Sequence, residues 1–180
     1  MKIKLVSQLL QVPSMDPEDA RRRKLLNIVL AGVTLLTLVM LIAIIGYSLI
    51  APDFDASKFY LGVVGVLVGF ALVFFINRYK SGWIASLIFL AILIALFSLI
   101  DEPRQVVEGR TVFFFTIPIL LASVIIRPWA SFAAASVSSA IITLIAITQL
   151  EDYAYGAPPI PTIGGFLLFA LVSWLSARSL

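Results

Sequence analysis

The chain of 180 residues contains no cysteine and no histidine. The first absence excludes disulfides, thiolate nucleophiles and cysteine-based zinc sites, and the second excludes imidazole bases and haem ligation by histidine. No serine has a histidine partner with which to form a nucleophilic pair. The sequence therefore predicts no metal site, no cofactor and no enzymatic activity in these residues.

Charged side chains are also scarce. They make up 13% of the sequence, whereas 61% of the residues are hydrophobic, and soluble domains average about 25% charged residues. So few polar groups cannot cover the surface of a soluble globule. The charges lie between long apolar runs, most of them close to the length of about 20 residues with which a helix crosses the bilayer core. This pattern predicts an integral membrane protein of the all-α class.

Six apolar segments predict a bundle of six transmembrane helices, preceded by a cytoplasmic segment over residues 1–24. The segments lie at about residues 25–50, 58–76, 83–100, 111–126, 130–150 and 162–177. Because Asp16 can cap a helix and Pro17 suits its first position, the first helix is expected to begin near Pro17, before the membrane. The fourth segment is short, since an α-helix of its length reaches only about 24 Å.

The distribution of charge predicts the orientation. With the N-terminus inside, ten of the thirteen Lys and Arg residues fall on the cytoplasmic side, as the positive-inside rule requires. Both termini are therefore predicted to be cytoplasmic. A basic run at the membrane boundary is expected to bind anionic lipid headgroups rather than nucleic acid; it consists of Arg21, Arg22, Arg23 and Lys24.

The interiors of the predicted spans contain no Asp, Glu, Lys, Arg or His. Proton relays, cation pathways and retinal Schiff bases need such groups within the membrane, so a pump, a proton-coupled transporter and a rhodopsin are disfavoured. Small residues predict helix packing instead. Those singled out are Gly65 and Gly69, which form a GxxxG in the second segment, and Ala135 and Ser139 in the fifth.

Two places are predicted hinges, because a proline or a pair of glycines allows a transmembrane helix to bend. Pro118 interrupts the fourth segment, where it is expected to leave an unpaired carbonyl in the middle of a helix. Gly164 and Gly165 stand near the start of the sixth segment.

The candidate ligand site is the outer rim, where charged and aromatic residues concentrate. Its members are Asp101, Glu102, Arg104, Glu108, Arg110, Asp152, Tyr153 and Tyr155. Mixed charges above the aromatic run 113–115 predict a small site with polar and apolar parts. The alternative is a solvated loop whose charges only enforce topology. Since no charge is buried in the spans, a lipophilic stimulus such as a lipid or quinone-like molecule is favoured over an ion.

Three stretches carry a resemblance to a known family: DPEDARRRKLLN at 16–27, VVEGRTVFFFTIPILLASVIIRPWASF at 106–132 and WLSARSL at 174–180. In these the chain resembles the N-terminal membrane sensor region of bacterial sensor histidine kinases with PAS or GAF domains. The resemblance implies a sensory input module in the bacterial cytoplasmic membrane. It also implies that cytoplasmic output domains follow residue 180, that any kinase activity lies there, and that the full-length protein dimerises through a signalling helix. The end of the chain in a helical stretch without a Gly or Pro stop favours an excised module.

Two alternatives remain open. Six helices in about this length are also similar to the substrate-capturing membrane subunits of energy-coupling-factor vitamin transporters, which bind a small molecule from the outer face. The first segment lacks a convincing docking pattern for such a transporter, because its small residues are scattered. The other alternative is a structural subunit of a larger membrane assembly.

Overall fold

A computed structural model describes residues 16–50, 57–150, 153 and 159–179. Of these residues 90% are helical, and they contain no strand. The all-α class is therefore confirmed. The helices are α1 (Pro17–Ile50), α2 (Ser57–Tyr79), α3 (Gly82–Leu99), α4 (Pro103–Val107), a 3₁₀ helix (Arg110–Phe115), α5 (Thr116–Ile125), α6 (Ala130–Gln149) and α7 (Ile160–Arg178).

Five of the described helices are long and apolar enough to cross a membrane, namely α1, α2, α3, α6 and α7. The chain is thus a membrane-embedded protein. Along α1, large apolar side chains such as Leu35 and Ile42 are more than half exposed, as expected of a helix whose outer surface meets lipid rather than water. The predicted start of this helix is confirmed, and Asp16 Oδ1 accepts a hydrogen bond of 3.0 Å from the Glu18 N–H.

The fourth predicted segment differs from the expected single α-helix. It begins as the 3₁₀ helix and becomes α-helical only at Thr116. Pro118 is the third residue of α5, where its missing N–H is one that the first turn of an α-helix leaves unbonded anyway. The proline thus lies in the first turn of α5 and in the middle of the continuous helical stretch Arg110–Ile125. Its role as a hinge stays a prediction.

The chain divides into two compact units, residues 1–89 and 90–180. In the first unit α1 packs against α2, and the core includes Leu26, Leu30 and Val73. The rings of Phe70 and Phe89 contact each other there, with centroids 5.8 Å apart. A Cβ built on Gly65 meets no atom within 4 Å, so the first glycine of the predicted GxxxG lies at an open surface of α2.

In the second unit α5, α6 and α7 pack against one another, and α4 lies against α6. The small residues of α6 make this close packing possible, since short side chains let neighbouring backbones approach. Ala135 is fully buried in this contact, whereas Ser139 is half-buried. Phe115 and Phe166 form an aromatic contact in the core, with ring centroids 5.9 Å apart.

Candidate functional site

The loop between α3 and the 3₁₀ helix is held by Asp101. The Thr111 hydroxyl donates a hydrogen bond of 2.9 Å to its Oδ2, and the Glu102 N–H donates one of 3.0 Å to its Oδ1. The hydrogen bond from Thr111, followed by that from Glu102, lowers the pKa of Asp101 below its ordinary value. Burial opposes this shift, and the charge of Arg110 makes the smallest contribution to lowering the pKa. Asp101 thus fixes the residues 101–110, which we call the rim loop.

Gly109 lets the rim loop turn sharply between α4 and the 3₁₀ helix. A Cβ on this residue would lie 2.8 Å from the Cα of Gln105, a distance that real Cβ atoms do not show. The residue is extended, at φ −93° and ψ −161°, so it is close approach rather than a left-handed conformation that requires glycine. Sequence reasoning did not single out Gly109, although a glycine between the charged residues Glu108 and Arg110 was a visible signal.

The turn places Glu108 beside the start of α7. The Tyr153 hydroxyl donates a hydrogen bond to Glu108 Oε1, and Arg104 Nε lies 3.6 Å from Oε2. The Glu108 side chain is nevertheless 44% exposed. The rim loop is also bonded to α7 itself, because the Thr162 hydroxyl donates a hydrogen bond of 3.3 Å to the Val107 carbonyl.

A recess of about 270 Å³ lies between the 3₁₀ helix and the first turns of α7. Its lining includes Glu108, Val112, Phe113, Thr162, Gly165 and Phe169. The surface is mainly apolar, with the carboxylate of Glu108 as its charged group. The recess stays open at Gly165, since a Cβ there meets no atom within 4 Å.

The structure divides the predicted site residues into two groups. Glu108 and Gly165, predicted as a ligand residue and a hinge, meet at the recess, and Tyr153 orients Glu108. Arg110 is not part of the recess; its side chain is 83% exposed and its Nε lies 3.9 Å from Asp101 Oδ2. Asp101, Glu102 and Arg104 also lie outside the lining, and the predicted residues Asp152 and Tyr155 fall outside the described part of the chain.

A second cluster lies in the first unit and involves the predicted headgroup-binding run. The side chain of Arg23 is only 12% exposed. Its guanidinium donates to the carbonyls of Asn77 at 2.6 Å and Lys80 at 3.1 Å, and to Asp19 Oδ2 at 2.6 Å. Arg23 therefore caps the Asn77 carbonyl in the last turn of α2, which no intrahelical N–H reaches, and also bonds to the Lys80 carbonyl just beyond the helix.

Two buried asparagines extend this cluster. The amide of Asn77 donates to the Arg23 carbonyl at 3.1 Å and to Asn27 Oδ1 at 2.7 Å, and both asparagines are buried. Gly82 completes it, because a Cβ there would lie 2.7 Å from Arg23 Cγ. We call Asp19, Arg23, Asn27, Asn77 and Gly82 the basic junction.

The rest of the basic run is placed differently. Arg21 and Lys24 are exposed and thus open to lipid headgroups. Arg22 has a side chain that is only 12% exposed and forms a 3.5 Å ion pair with Glu18. Headgroup binding stays a prediction for the run, with Arg21 and Lys24 as its accessible members.

Serine hydroxyls connect α7 to its neighbours in the second unit. The hydroxyls of Ser123 on α5 and Ser173 on α7 lie 2.6 Å apart. Ser131 on α6 shares its hydroxyl proton between the Pro128 carbonyl at 2.9 Å and the Ala170 carbonyl at 3.1 Å. Hydrogen bonds of this kind tie transmembrane helices together where lipid offers no alternative partner, so α7 is joined to both α5 and α6.

No family model matches the chain, and no curated protein or solved structure is significantly similar to it. Within the described residues, no group of three or more potential ligands is placed to hold a metal ion. The fold and the two clusters therefore define a helical membrane protein with one apolar recess beside a carboxylate and one buried basic junction.

Proposed function

We propose that the chain is the transmembrane sensory input module of a bacterial signalling protein of the histidine kinase type, located in the cytoplasmic membrane. The observation that carries this proposal is the position of α7. The helix starts at the recess, where Thr162 ties it to the rim loop, and continues without interruption to Arg178. Its 19 residues extend about 28 Å, which is close to the thickness of the bilayer core. One continuous helix thus leads from the recess to Arg178.

The proposal requires two packings of α7, since a stimulus shifts an equilibrium only by binding the two states with different affinity. A ligand in the recess would contact both the 3₁₀ helix and the first turns of α7. Any change in their separation would be transmitted to the serine contacts with α5 and α6. At the far end, Arg178 lies over the ring of Trp174 at 4.8 Å, where the helix would continue into the output domains and a homodimer.

The proposed topology has six crossings with both termini cytoplasmic. The stretch Arg110–Ile125 supports a sixth crossing, because its 3₁₀ part spans about 12 Å at the longer rise of that helix and α5 adds about 15 Å. The total of about 27 Å comes close to the roughly 30 Å core, whereas an α-helix of the same residues is shorter.

Cysteine labelling tests this topology, since the chain has no cysteine of its own. In intact cells, a membrane-impermeant maleimide should label the variant Glu102→Cys and leave Lys80→Cys unlabelled. Labelling of Lys80→Cys without permeabilisation would contradict the orientation.

The signalling role is tested in the full-length protein with its output domains. Gly165→Leu fills the recess and should change the basal output, because the added side chain occupies the space between the 3₁₀ helix and α7. The matched control is Gly62→Leu, at an exposed position of α2 where an added Cβ also meets no atom within 4 Å, which should leave the output unchanged. Equal output from both variants and the wild type would contradict the proposal.

A substrate-capturing transporter subunit is the second candidate, because a recess open at the rim also suits the capture of a small molecule. In that case Gly165→Leu would abolish uptake with a partner ATPase.

A further inference from the structure

We propose that the recess between the 3₁₀ helix and α7 binds a small organic cation with an apolar body, such as a quaternary ammonium, with Glu108 as its counter-charge. The inference deepens the proposed function by naming the class of stimulus, and its biological meaning rests on that function. The binding itself is a property of this chain and can be measured without any output domain.

The charge of the recess favours a cation. Glu108 is the charged residue of the lining, and its only described ion pair joins it to Arg104 over 3.6 Å, with both side chains substantially exposed. Such a pair is weak, so a ligand cation can replace the guanidinium. The rim loop adds to this field, since it carries three acids and two bases. An excess of one sign around an apolar recess raises the local concentration of the opposite charge.

The polar groups of the wall favour a cation as well. The hydroxyl of Thr116 donates to the Phe113 carbonyl at 2.6 Å, and that of Thr162 donates to the Val107 carbonyl. With their protons engaged, both hydroxyls offer only lone pairs to a ligand. Pro161, which also lines the recess, has no N–H. The usual attraction of anions to the start of a helix is therefore weakened at α7.

Aromatic rings supply the remaining surface. Phe113 and Phe169 line the recess, with exposed fractions of 68% and 36%. The face of such a ring attracts an ammonium group. Beneath them Phe166 is buried and packed on Phe115, which gives an apolar floor for the body of the ligand. A carboxylate beside several phenyl rings suits a cation whose charge is spread over apolar groups.

The volume limits the size of the ligand. About 270 Å³ lies at the lower end of the range of about 300–1,000 Å³ that small-molecule pockets occupy. One ring with an ammonium group fits this space. A whole lipid or a quinone with a long tail does not. The compact organic cation therefore replaces the lipid or quinone-like stimulus that the sequence favoured over an ion.

The test uses the whole chain in nanodiscs and benzyltrimethylammonium as the probe, with binding measured by calorimetry. We expect saturable binding of the probe and binding at least tenfold weaker for phenylacetate, which carries the opposite charge on a similar ring. Glu108→Gln should weaken probe binding about tenfold, the effect of losing one charge-assisted contact. Glu102→Gln removes a neighbouring rim-loop carboxylate outside the lining and should leave binding unchanged.

A second pair of variants separates binding from folding. Gly165→Leu should abolish probe binding, and Gly164→Leu should retain it, with circular dichroism showing the same helix content in both. Equal binding by wild type and Glu108→Gln, equal loss in Glu102→Gln, or stronger binding of phenylacetate would each overturn the inference.

The two proposals fail in different ways. If the probe binds with the expected dependence on Glu108 but Gly165→Leu leaves the output of the full-length protein unchanged, the proposed function is wrong and the cation site is supported. If Gly165→Leu changes the output of the full-length protein but the probe does not bind, only the cation site is wrong.

Discussion

The basic junction and the rim loop each contain an arginine beside a carboxylate, but the two arginines differ in their exposure to solvent. At the junction the Arg23 side chain is 12% exposed and its guanidinium bonds to two carbonyls and one carboxylate. At the rim loop the Arg110 side chain is 83% exposed and lies 3.9 Å from its carboxylate partner. The junction engages its charge entirely within the protein. The rim loop leaves Glu108 half open beside a recess.

The difference follows from solvation. A largely buried guanidinium that loses its partners has little access to water to replace them, and this is costly. An exposed pair exchanges its partner for water at little cost, and such pairs contribute about 0–1 kcal/mol. We therefore assign stability to the junction and ligand contact to the rim loop. Variants of both regions test this division.

The largest effect is expected at the junction. Arg23→Ala removes three hydrogen bonds and uncaps α2, and it should lower the free energy of unfolding by about 2–4 kcal/mol. Chemical unfolding in detergent, followed by circular dichroism, measures this change. Arg21→Ala is the matched control, since the same residue type is exposed two positions earlier. A similar loss in both variants would break the distinction between a buried junction and a solvated charge.

The next effect concerns the turn of the rim loop. Gly109→Ala forces a Cβ against the backbone of Gln105 and should cost about 1–3 kcal/mol through strain. Gly164→Ala has open space around its Cβ and should be neutral or stabilise α7 by roughly 0.5–1 kcal/mol. The two unfolding midpoints should therefore move in opposite directions. A tolerated Gly109→Ala would show that the loop does not need this close approach.

A smaller effect is expected for the serine contact between α5 and α7. Ser123→Ala and Ser173→Ala remove the two hydroxyls that lie 2.6 Å apart. A double-mutant cycle should give a coupling of about 0.6 kcal/mol, the average for hydrogen bonds between membrane helices. Additive single effects would show that these hydroxyls do not stabilise each other.

The smallest effect is the pH dependence contributed by Asp101. Because its pKa is lowered in the folded chain, its stabilisation is present above the ordinary carboxyl pKa of 3.8 and is lost as the pH falls through the folded value. Thr111→Val removes the main cause of this shift. The stability difference between wild type and Thr111→Val should be constant near neutral pH and shrink below about pH 4. A difference that grows in acid would contradict the role of Thr111.

The helices were predictable because apolar runs and helix caps are local features of the sequence. Asp16 and Pro17 marked the start of α1, and the small residues of α6 indicated a closely packed helix. The 3₁₀ helix was not predictable, since its residues are as apolar as those of an α-helix. Only the position of Pro118 hinted at a boundary there.

The candidate site was only partly predictable. Composition placed both Glu108 and Tyr153 in the candidate site, but it did not predict the hydrogen bond between these two residues, which are 45 positions apart. The role of Arg23 could not be predicted from the sequence for a similar reason. Its partners at Asn77 and Lys80 are main-chain carbonyls, which every residue possesses.

The central claim is that ligand binding in the recess changes the surroundings of the far end of α7. Ser176 is exposed near that end, and Ser176→Cys can carry an environment-sensitive fluorophore as the only thiol of the chain. Titration with benzyltrimethylammonium in nanodiscs should give a saturable change in emission, and in the Glu108→Gln background the midpoint should move to about tenfold higher probe concentration. Unchanged emission while calorimetry records binding of the probe would contradict the claim.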